Sequence, residues 1–594
     1  MSFSAGFART DMTVFEPGMA MQGWAQPGNR VGSVETALHA RAAVFVDAAG
    51  ARFAYVCVEL NFVSWALRQG VLAALARDHG GRGFTAHSVM LTATHTHSGP
   101  SGFSQYPLYN ASGGGFSPLV WSGAVDSIVA AIVAADDARE PAVLRLGHAD
   151  IPMHEDVAFN RSLPAWRTNR DVAGPATLAG AVDRRSLCLR ADDRAGRALG
   201  VINWFGVHAT NVHADQTGLH ADNKGLAAQA FETFAARRAG FREGFVAIFA
   251  QAAAGDVQPN FRFDARRRLL VGGGQDDAHS AALNADIQFR YARQGFEAAL
   301  HTPPLVPEIQ ARSIRADLGA TAVDADLAGR RACVTQTAHI GLGHATGSHE
   351  GPGPLLALEP WLRGYARLRR GMEKDADPRA SSLDVGRGTG GHLGALPTRW
   401  AMPVVARFAP MIAFLEAAFQ AGELSAEGWV PDVLPLQVVA LGGLVIAGVP
   451  SEPTVNAARR LRQTLAAALK GHGPQAIVIN GYANAYAGYL CTYEEYMTQA
   501  YEGSATYYGP WSLAAYQTHF RALALRLGED EAREMGPAPD VFDPARLIRQ
   551  RLGGRRGMRQ GPGAERFVPQ PPHLTHLRAF SPAITSSSFF AEAP

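Results

Sequence analysis

The stretch Ser88-Val89-Met90-Leu91-Thr92-Ala93-Thr94-His95-Thr96-His97-Ser98-Gly99-Pro100 constrains this chain most. Its apolar opening reads as a short buried strand, which breaks at a small, polar turn closing in Gly-Pro. Two histidines at i and i+2 stand at the break. In extended backbone such residues project to one side, so His95 and His97 are expected to share a pocket at a strand end. A lone His-x-His is a weak metal signal, and histidines satisfied by loop hydrogen bonds account for it equally well.

The same pattern recurs three times. Val201-Ile202-Asn203-Trp204-Phe205-Gly206-Val207-His208 ends in a histidine, with His213 and His220 close behind. Phe245-Val246-Ala247-Ile248-Phe249-Ala250 runs into Gln251 and then Gly255-Asp256-Val257-Gln258-Pro259-Asn260. Leu444-Val445-Ile446-Ala447-Gly448-Val449-Pro450 runs into Ser451-Glu452-Pro453 ahead of a helix. In α/β folds, strand ends gather where ligands bind. Histidines and a carboxylate at such ends suit Zn²⁺, which takes nitrogen and oxygen ligands. Asp222-Asn223-Lys224-Gly225 reads as a helix start with Asp222 as its cap.

Between these points strand and helix patterns alternate. A hairpin is expected over 42–60, turning at Asp47-Ala48-Ala49-Gly50. Strands are expected at 142–147, 186–191, 198–205, 244–250, 433–441 and 443–448. Helices are expected at about 62–79, 119–138, 223–239, 280–301, 403–420, 454–470 and 512–527. The fold class is α/β, with mixed β-sheets at the centre flanked by helices. Residues 101–118, rich in Gly, Ser, Tyr and Phe, read as a functional loop, and 340–396 as long loops over a site. One large domain over 1–528 is followed by a proline-rich arm over 529–594. The arm carries the basic cluster Arg546, Arg549, Arg551, Arg555, Arg556 and Arg559. That arm packs on the body or on a partner subunit in a homo-oligomer, or it meets an acidic substrate or partner.

Hydrophobic residues are 47% of the 594 and charged residues 18%, the balance of a globular enzyme with room for a sizeable core. A formal net charge of +2 provides no global field for nucleic acid. The four cysteines lie far apart without zinc-ligand spacing, and Cys57, Cys188 and Cys491 are expected to be buried core thiols. No basic and then apolar leader opens the chain, and no apolar run reaches the roughly 18 residues of a membrane span. The expectation is a cytoplasmic protein acting on a small molecule, with no stable membrane insertion.

Several motifs, in order, carry a resemblance. They are Gly6-Phe7-Ala8-Arg9-Thr10-Asp11-Met12-Thr13, the Thr92–Pro100 motif and Phe159-Asn160-Arg161-Ser162. Asp222-Asn223-Lys224-Gly225 and Gly255-Asp256-Val257-Gln258-Pro259-Asn260 follow. Val449-Pro450-Ser451-Glu452-Pro453-Thr454, Tyr493-Glu494-Glu495-Tyr496 and Tyr501-Glu502-Gly503 complete the series. With these the chain resembles the neutral/alkaline ceramidase family from about residue 4 to about residue 527. The resemblance implies a zinc hydrolase of N-acyl amides with one Zn²⁺ per chain. The ligand positions it implies are His95, His208, Glu452 and Tyr489, and all four keep the ligand residue type. A dication favours deprotonation of a phenol, which makes a tyrosinate ligand physically reasonable. His97, Arg161 and Tyr501 match positions near the scissile carbonyl, where they would donate to the oxyanion; a structural salt bridge is the alternative for Arg161.

The departures matter as much. The family's nucleophilic serine falls on Gln258, whose amide has no nucleophilic hydroxyl. The glycine-rich loop carries His349 and Glu350 where the family has small hydroxyl residues and Asp. They read as an acid/base pair or as two exposed loop residues. The family's C-terminal β-sandwich domain is not seen in the sequence. The leading expectation is an amidohydrolase using zinc-bound water directly on a substrate other than ceramide. Gln258 would orient the substrate or bond the water, and His97 or His213 would shuttle the proton. Esters, lactones or glycosides as substrates, or zinc binding without turnover, are the alternatives.

Overall fold

The computed structural model describes the chain except for residues 1, 27, 173, 330–331, 342, 345–346, 349–350, 353–382, 388–391, 394–395, 398–413, 415–416, 419–427, 530–533 and 551–594. The helix expected over 403–420, most of the loops over 340–396 and the end of the arm therefore lie largely outside the described residues. Met1–Gly553 forms one compact unit, and Gly554–Pro594 lies beyond the described part.

Eight strands form the main sheet. They are β1 (Phe3–Asp11), β2 (His39–Val46), β3 (Arg52–Val58), β4 (Val89–Ala93), β5 (Glu140–Asp150), β6 (Arg185–Asp193), β7 (Ala198–Phe205) and β8 (Phe241–Gln251). Their order is β8-β7-β6-β5-β1-β2-β3-β4. The pairs β3–β4 and β7–β8 are parallel and the rest antiparallel, so the sheet is mixed. A second sheet runs β9 (Ile309–Asp317), β10 (Val433–Leu441), β11 (Leu444–Gly448) and β12 (Ala476–Asn480), with β11–β12 parallel.

Parallel neighbours need a crossover, and each pair has a helix in it. These are α1 (Trp65–His79) between β3 and β4, α3 (Asp222–Ala235) between β7 and β8, and α5 (Val455–Ala468) between β11 and β12. Three more helices, α2 (Pro118–Asp137), α4 (Asp277–Ala298) and α6 (Ser512–Leu525), complete the outer layers. Ser64, Asp276 and Thr454 cap α1, α4 and α5 through their side chains, satisfying main-chain N–H groups that lack an intrahelical partner.

Strand alternation sorts the core. In β3, Phe53, Tyr55 and Cys57 join the core shared with Val439, Leu441, Leu444 and Ile446 of the second sheet. Ala54, Val56 and Val58 face the other way, into the core under α1 and α2. The molecule is thus layered helix, sheet, sheet, helix. Helix α2 is long and apolar enough to cross a membrane by composition alone. Here its Val120, Ala124, Ile128, Ala131, Ile132 and Ala135 are buried, and it packs on β1 and β2. Gly6 of β1 permits that approach: a Cβ there would lie 2.0 Å from Ala135 O.

One buried polar knot ties the two sheets. Asn480, at the end of β12, accepts at Oδ1 from Tyr55 Oη and, at 3.0 Å, from Trp204 Nε1. Its Nδ2 donates to Thr92 Oγ1 and Gly481 O, both at 2.8 Å. Replacing Asn480 by Leu leaves the buried Tyr55 O–H without its acceptor and takes the donor from Thr92 Oγ1. Tyr55 Oη still accepts from Trp204, and Thr92 Oγ1 still donates to Gly481 O. The expected cost is about 2–3 kcal/mol, read as a fall in the main thermal transition. An unchanged midpoint would contradict the knot's role.

Candidate active site

The three parallel pairs bring their strand ends to one place. His95 follows β4, His208 follows β7 and Glu452 follows β11. β4 and β7 are far apart in sheet order, yet the sheet curls until they meet. Gln251, the last residue of β8, closes that curl: its Nε2 donates to Thr94 O at 2.9 Å and to Val207 O at 2.6 Å. Its Oε1 accepts from Val207 N at 3.2 Å. Just beyond, Thr96 and Ala209 pair as a parallel bridge. The expectation that His95 and His97 converge by strand alternation needs correction. Extended backbone ends at Ala93, and His95 sits in the left-handed region at φ +69°. The turn brings the two rings together.

The Asp222 cap also needs correction. α3 does start at Asp222, but Ala221 is its cap residue and Asp222 itself has φ +53°. The Asp222 carboxylate instead accepts from the main-chain N–H of Asn211 and Val212, in the loop after His208. Asn223 Nδ2 donates to His208 O at 3.0 Å, and buried Lys224 Nζ donates to Phe205 O at 2.8 Å. The start of α3 therefore holds the loop that carries His208.

His95 Nδ1 lies 2.6 Å from Asn61 O, and His208 Nδ1 lies 2.8 Å from Ala254 O and 3.0 Å from Val257 O. Carbonyl oxygens only accept, so each ring carries a proton on Nδ1. His208 Nε2 is buried without a hydrogen-bond partner among the described residues. It lies 3.2 Å from Glu452 Oε2, and His95 Nε2 lies 3.5 Å from the same oxygen. His97 Nε2 is 3.1 Å from His95 Nε2. The three imidazoles offer ligand atoms within 4.8 Å of one another, close enough to hold a metal ion. Burial pushes His95 down to about 4 and His97 well below its usual value, so both are neutral near pH 7. A neutral imidazole with its other nitrogen fixed on a carbonyl is the state a metal ligand requires.

Burial works against ionisation of Glu452, but the adjacent histidines and Tyr486 outweigh it and hold its carboxyl far below the usual range. Tyr482 Oη donates to Oε2 at 3.0 Å, and Tyr486 Oη donates to Oε1. Tyr489 sits beside Glu452, in register on the short parallel pair Glu452–Pro453 and Tyr489–Leu490. Its hydroxyl accepts from an Arg161 guanidinium nitrogen at 3.0 Å. Burial, with Glu452 nearby, raises the Tyr489 phenol well above its usual value; a bound dication would act in the opposite sense. Two nitrogens, a carboxylate and a phenol oxygen, all buried, fit a divalent ion of borderline softness.

Arg161 is anchored by Glu502 Oε1 at 2.9 Å and Gly255 O at 2.8 Å, and it lies beside the rings of Tyr489 and Tyr501. It is thus both salt-bridged and at the centre. Gln258, 4% exposed, pairs in register with Phe159 and donates from Nε2 to Asn260 O. His213 stands slightly apart. Its Nδ1 is 3.0 Å from Asp277 Oδ2 and its Nε2 is 2.9 Å from Leu270 O, and the carboxylate helps raise its pKa despite burial. Trp24 stacks on His213 and meets His97 edge-on, joining it to the site.

Several neighbours carried no signal in the sequence. Tyr482 and Tyr486 precede Tyr489 in an ordinary-looking loop, and Trp24 is remote along the chain. His344 lies over the Tyr501 ring at 4.7 Å, with Nδ1 buried and without a partner among the described residues. His349 and Glu350, in the same stretch, lie outside the described residues. The 101–118 segment is wall as much as loop. Phe103 and Tyr109 are buried against Phe62, and Tyr109 Oη donates to Tyr486 O.

His220 accepts the Asp222 N–H at Nδ1, and burial pushes its pKa to about 4. Its folded value is thus below the ordinary value of about 6.5. The unfolded chain binds the extra proton between those limits, so this residue costs stability as pH falls through 6.5 toward 4. His220→Asn keeps an acceptor that cannot titrate. The variant's thermal midpoint is expected to gain on the wild type across that window, in the metal-free protein. A constant difference would contradict the assignment.

A family model for neutral/alkaline non-lysosomal ceramidase, N-terminal, matches residues 3–361 and 415–518. The neutral ceramidase of Pseudomonas aeruginosa is 32% identical over 545 residues, covering 91% of this chain and 74% of that protein. Neutral ceramidase A of Dictyostelium discoideum is 30% identical over 562 residues, with coverage of 91% and 74%. A solved structure described as ceramidase complexed with C2 superposes with TM-score 0.74 at 30% identity, covering 91% of this chain and 77% of that one. The crystal structure of the Pseudomonas aeruginosa neutral ceramidase superposes with TM-score 0.71 at 29% identity. Model, relatives and structures agree over nearly the whole described chain, with the histidine group at its strand ends: the chain belongs to the neutral/alkaline non-lysosomal ceramidase family, and it is a metal-dependent hydrolase.

Proposed function

We propose that this protein hydrolyses an N-acyl amide other than ceramide, with one zinc ion held by His95, His208, Glu452 and Tyr489. The observation that carries the reading is the convergence of two buried imidazole nitrogens on one buried carboxylate oxygen, beside a phenol hydrogen-bonded to Arg161. The ion supplies Lewis-acid polarisation of the scissile carbonyl and an acidified water. The chain's residues do the rest. Glu452 is held ionised at neutral pH. Arg161, fixed by Glu502 and Gly255 O, places its positive charge beside Tyr489 and Tyr501. These groups, with His97, supply donors for charge developing on the carbonyl oxygen.

Gln258 cannot form an acyl-enzyme, which favours direct attack by water. The water oxygen bonds to the carbonyl carbon, the C–N bond breaks, and a proton passes to the leaving amine. His97, neutral and beside His95, is the proposed proton carrier; both His213 nitrogens already engage Asp277 and Leu270 O. The amide at 258, together with His349 and Glu350 in the glycine-rich loop, supports a substrate unlike the family's ceramide. Metal analysis with a screen of acyl amides, esters and glycosides tests the reading; turnover of glycosides alone would overturn it.

His95→Ala and Glu452→Ala are each expected to lose bound metal and activity together, read by elemental analysis and turnover. Full zinc content in either variant would remove that residue from the ligand set. Gln251→Leu leaves every proposed ligand in place but unhooks the strand ends bearing His95 and His208. Zinc affinity, measured by chelator competition, is expected to fall about 10–100-fold. Intact-protein mass during turnover should show no acyl adduct; a trapped adduct on any serine or threonine would contradict the direct route.

A further inference from the structure

The two ends of the Gln258 side chain have different fates. Nε2 donates to Asn260 O at 2.8 Å. That bond sets the amide's orientation, because the flipped amide would press Oε1 against a carbonyl oxygen. Oε1 is consequently directed elsewhere, and it is buried without a donor among the described residues. Buried acceptors in folded proteins are nearly always paired, by protein, by water or by a ligand.

Its surroundings narrow the choice. Val257, the preceding residue, offers its carbonyl to both the N–H and Nδ1 of His208. The strand partner of Gln258 is Phe159, two residues before Arg161. Arg161 donates its main-chain N–H to Asp256 O and its guanidinium to Gly255 O. Gln258 therefore stands between the end of the strand bearing His208 and the turn bearing Arg161. A carbonyl oxygen or an ester oxygen cannot satisfy its Oε1, because both only accept. The N–H of a secondary amide can, and it lies one bond from the carbon under attack.

We propose that Gln258 Oε1 accepts a hydrogen bond from the N–H of the scissile amide, making Gln258 a specificity-determining residue that selects secondary amides over esters. This rests on the proposed amide hydrolysis. A site built to pair a substrate N–H rejects the analogue that lacks it, since the acceptor is then left buried and unpaired.

The test uses an acyl p-nitroanilide and the p-nitrophenyl ester of the same acyl chain, with kcat/KM measured on zinc-loaded protein. Gln258→Met removes the acceptor at similar length, and Gln258→Glu keeps one. Metal content and thermal midpoint report folding. The amide-to-ester ratio is expected to fall at least tenfold in Gln258→Met and to recover in part in Gln258→Glu. An equal loss on both probes overturns the proposal and gives Oε1 to the attacking water. An unchanged ratio with unchanged turnover overturns it in favour of a structural role. Should Gln258→Met fail to fold, inhibition of the wild type by an acyl anilide and its N-methyl analogue decides. At least tenfold weaker inhibition by the N-methyl compound supports the proposal, and equal inhibition overturns it. A zinc-loaded wild type that cleaves neither probe defeats the hydrolase reading itself, and this inference with it.

Discussion

The site depends on one buried side chain that takes no part in the chemistry. Gln251 ends β8 and uses both ends of its amide to grip the carbonyls of Thr94 and Val207 and the N–H of Val207. Those residues immediately precede His95 and His208. The two histidines belong to strands separated by five others in the sheet, so only a curled sheet brings them together. Curling costs backbone regularity at the strand ends, and the left-handed conformation of His95 is one sign of it. Buried hydrogen bonds in a dry interior hold such a conformation firmly, since leaving them unmade is expensive.

Around this clasp, the site's side chains are held by hydrogen-bond partners that fix their orientation. Main-chain carbonyls set the tautomers of His95 and His208. Tyr482 and Tyr486 orient the Glu452 carboxylate, and Glu502 anchors Arg161. The carboxyl of Asp256 is pushed upward by burial and by Glu495 and Glu502 nearby, and it accepts from Asn160 and the Val455 N–H. It thereby braces the turn between Arg161 and Glu452. The site is preorganised by main-chain and side-chain contacts that reach well past the proposed ligands.

Much of this was legible in the residues. The hairpin β2–β3, the strands that end at His95, His208 and Glu452, and most helices follow from period and turn chemistry. Three strands of the two main sheets escaped. β1 carries small residues, among them Gly6, that serve close helix packing and blur its alternation. β12 is five residues long, and β9 breaks its alternation at Arg312-Ser313 and carries a second arginine, Arg315, in place of β-branched residues. The convergence of His95 and His97 was anticipated, but not by the actual route, because a left-handed non-glycine residue leaves no mark in a pattern. Tyr482, Tyr486, Trp24 and His344 were illegible for a different reason. Their roles come from long-range packing, which no local spacing encodes.

The central claim is a single zinc in a shell of nitrogen and oxygen donors at these strand ends. Zinc K-edge X-ray absorption on the purified, zinc-loaded protein tests it most directly. The account predicts four nitrogen or oxygen scatterers at about 2.0–2.2 Å with imidazole outer-shell features. Sulfur scatterers at about 2.3 Å, or a shell without imidazole, would contradict it.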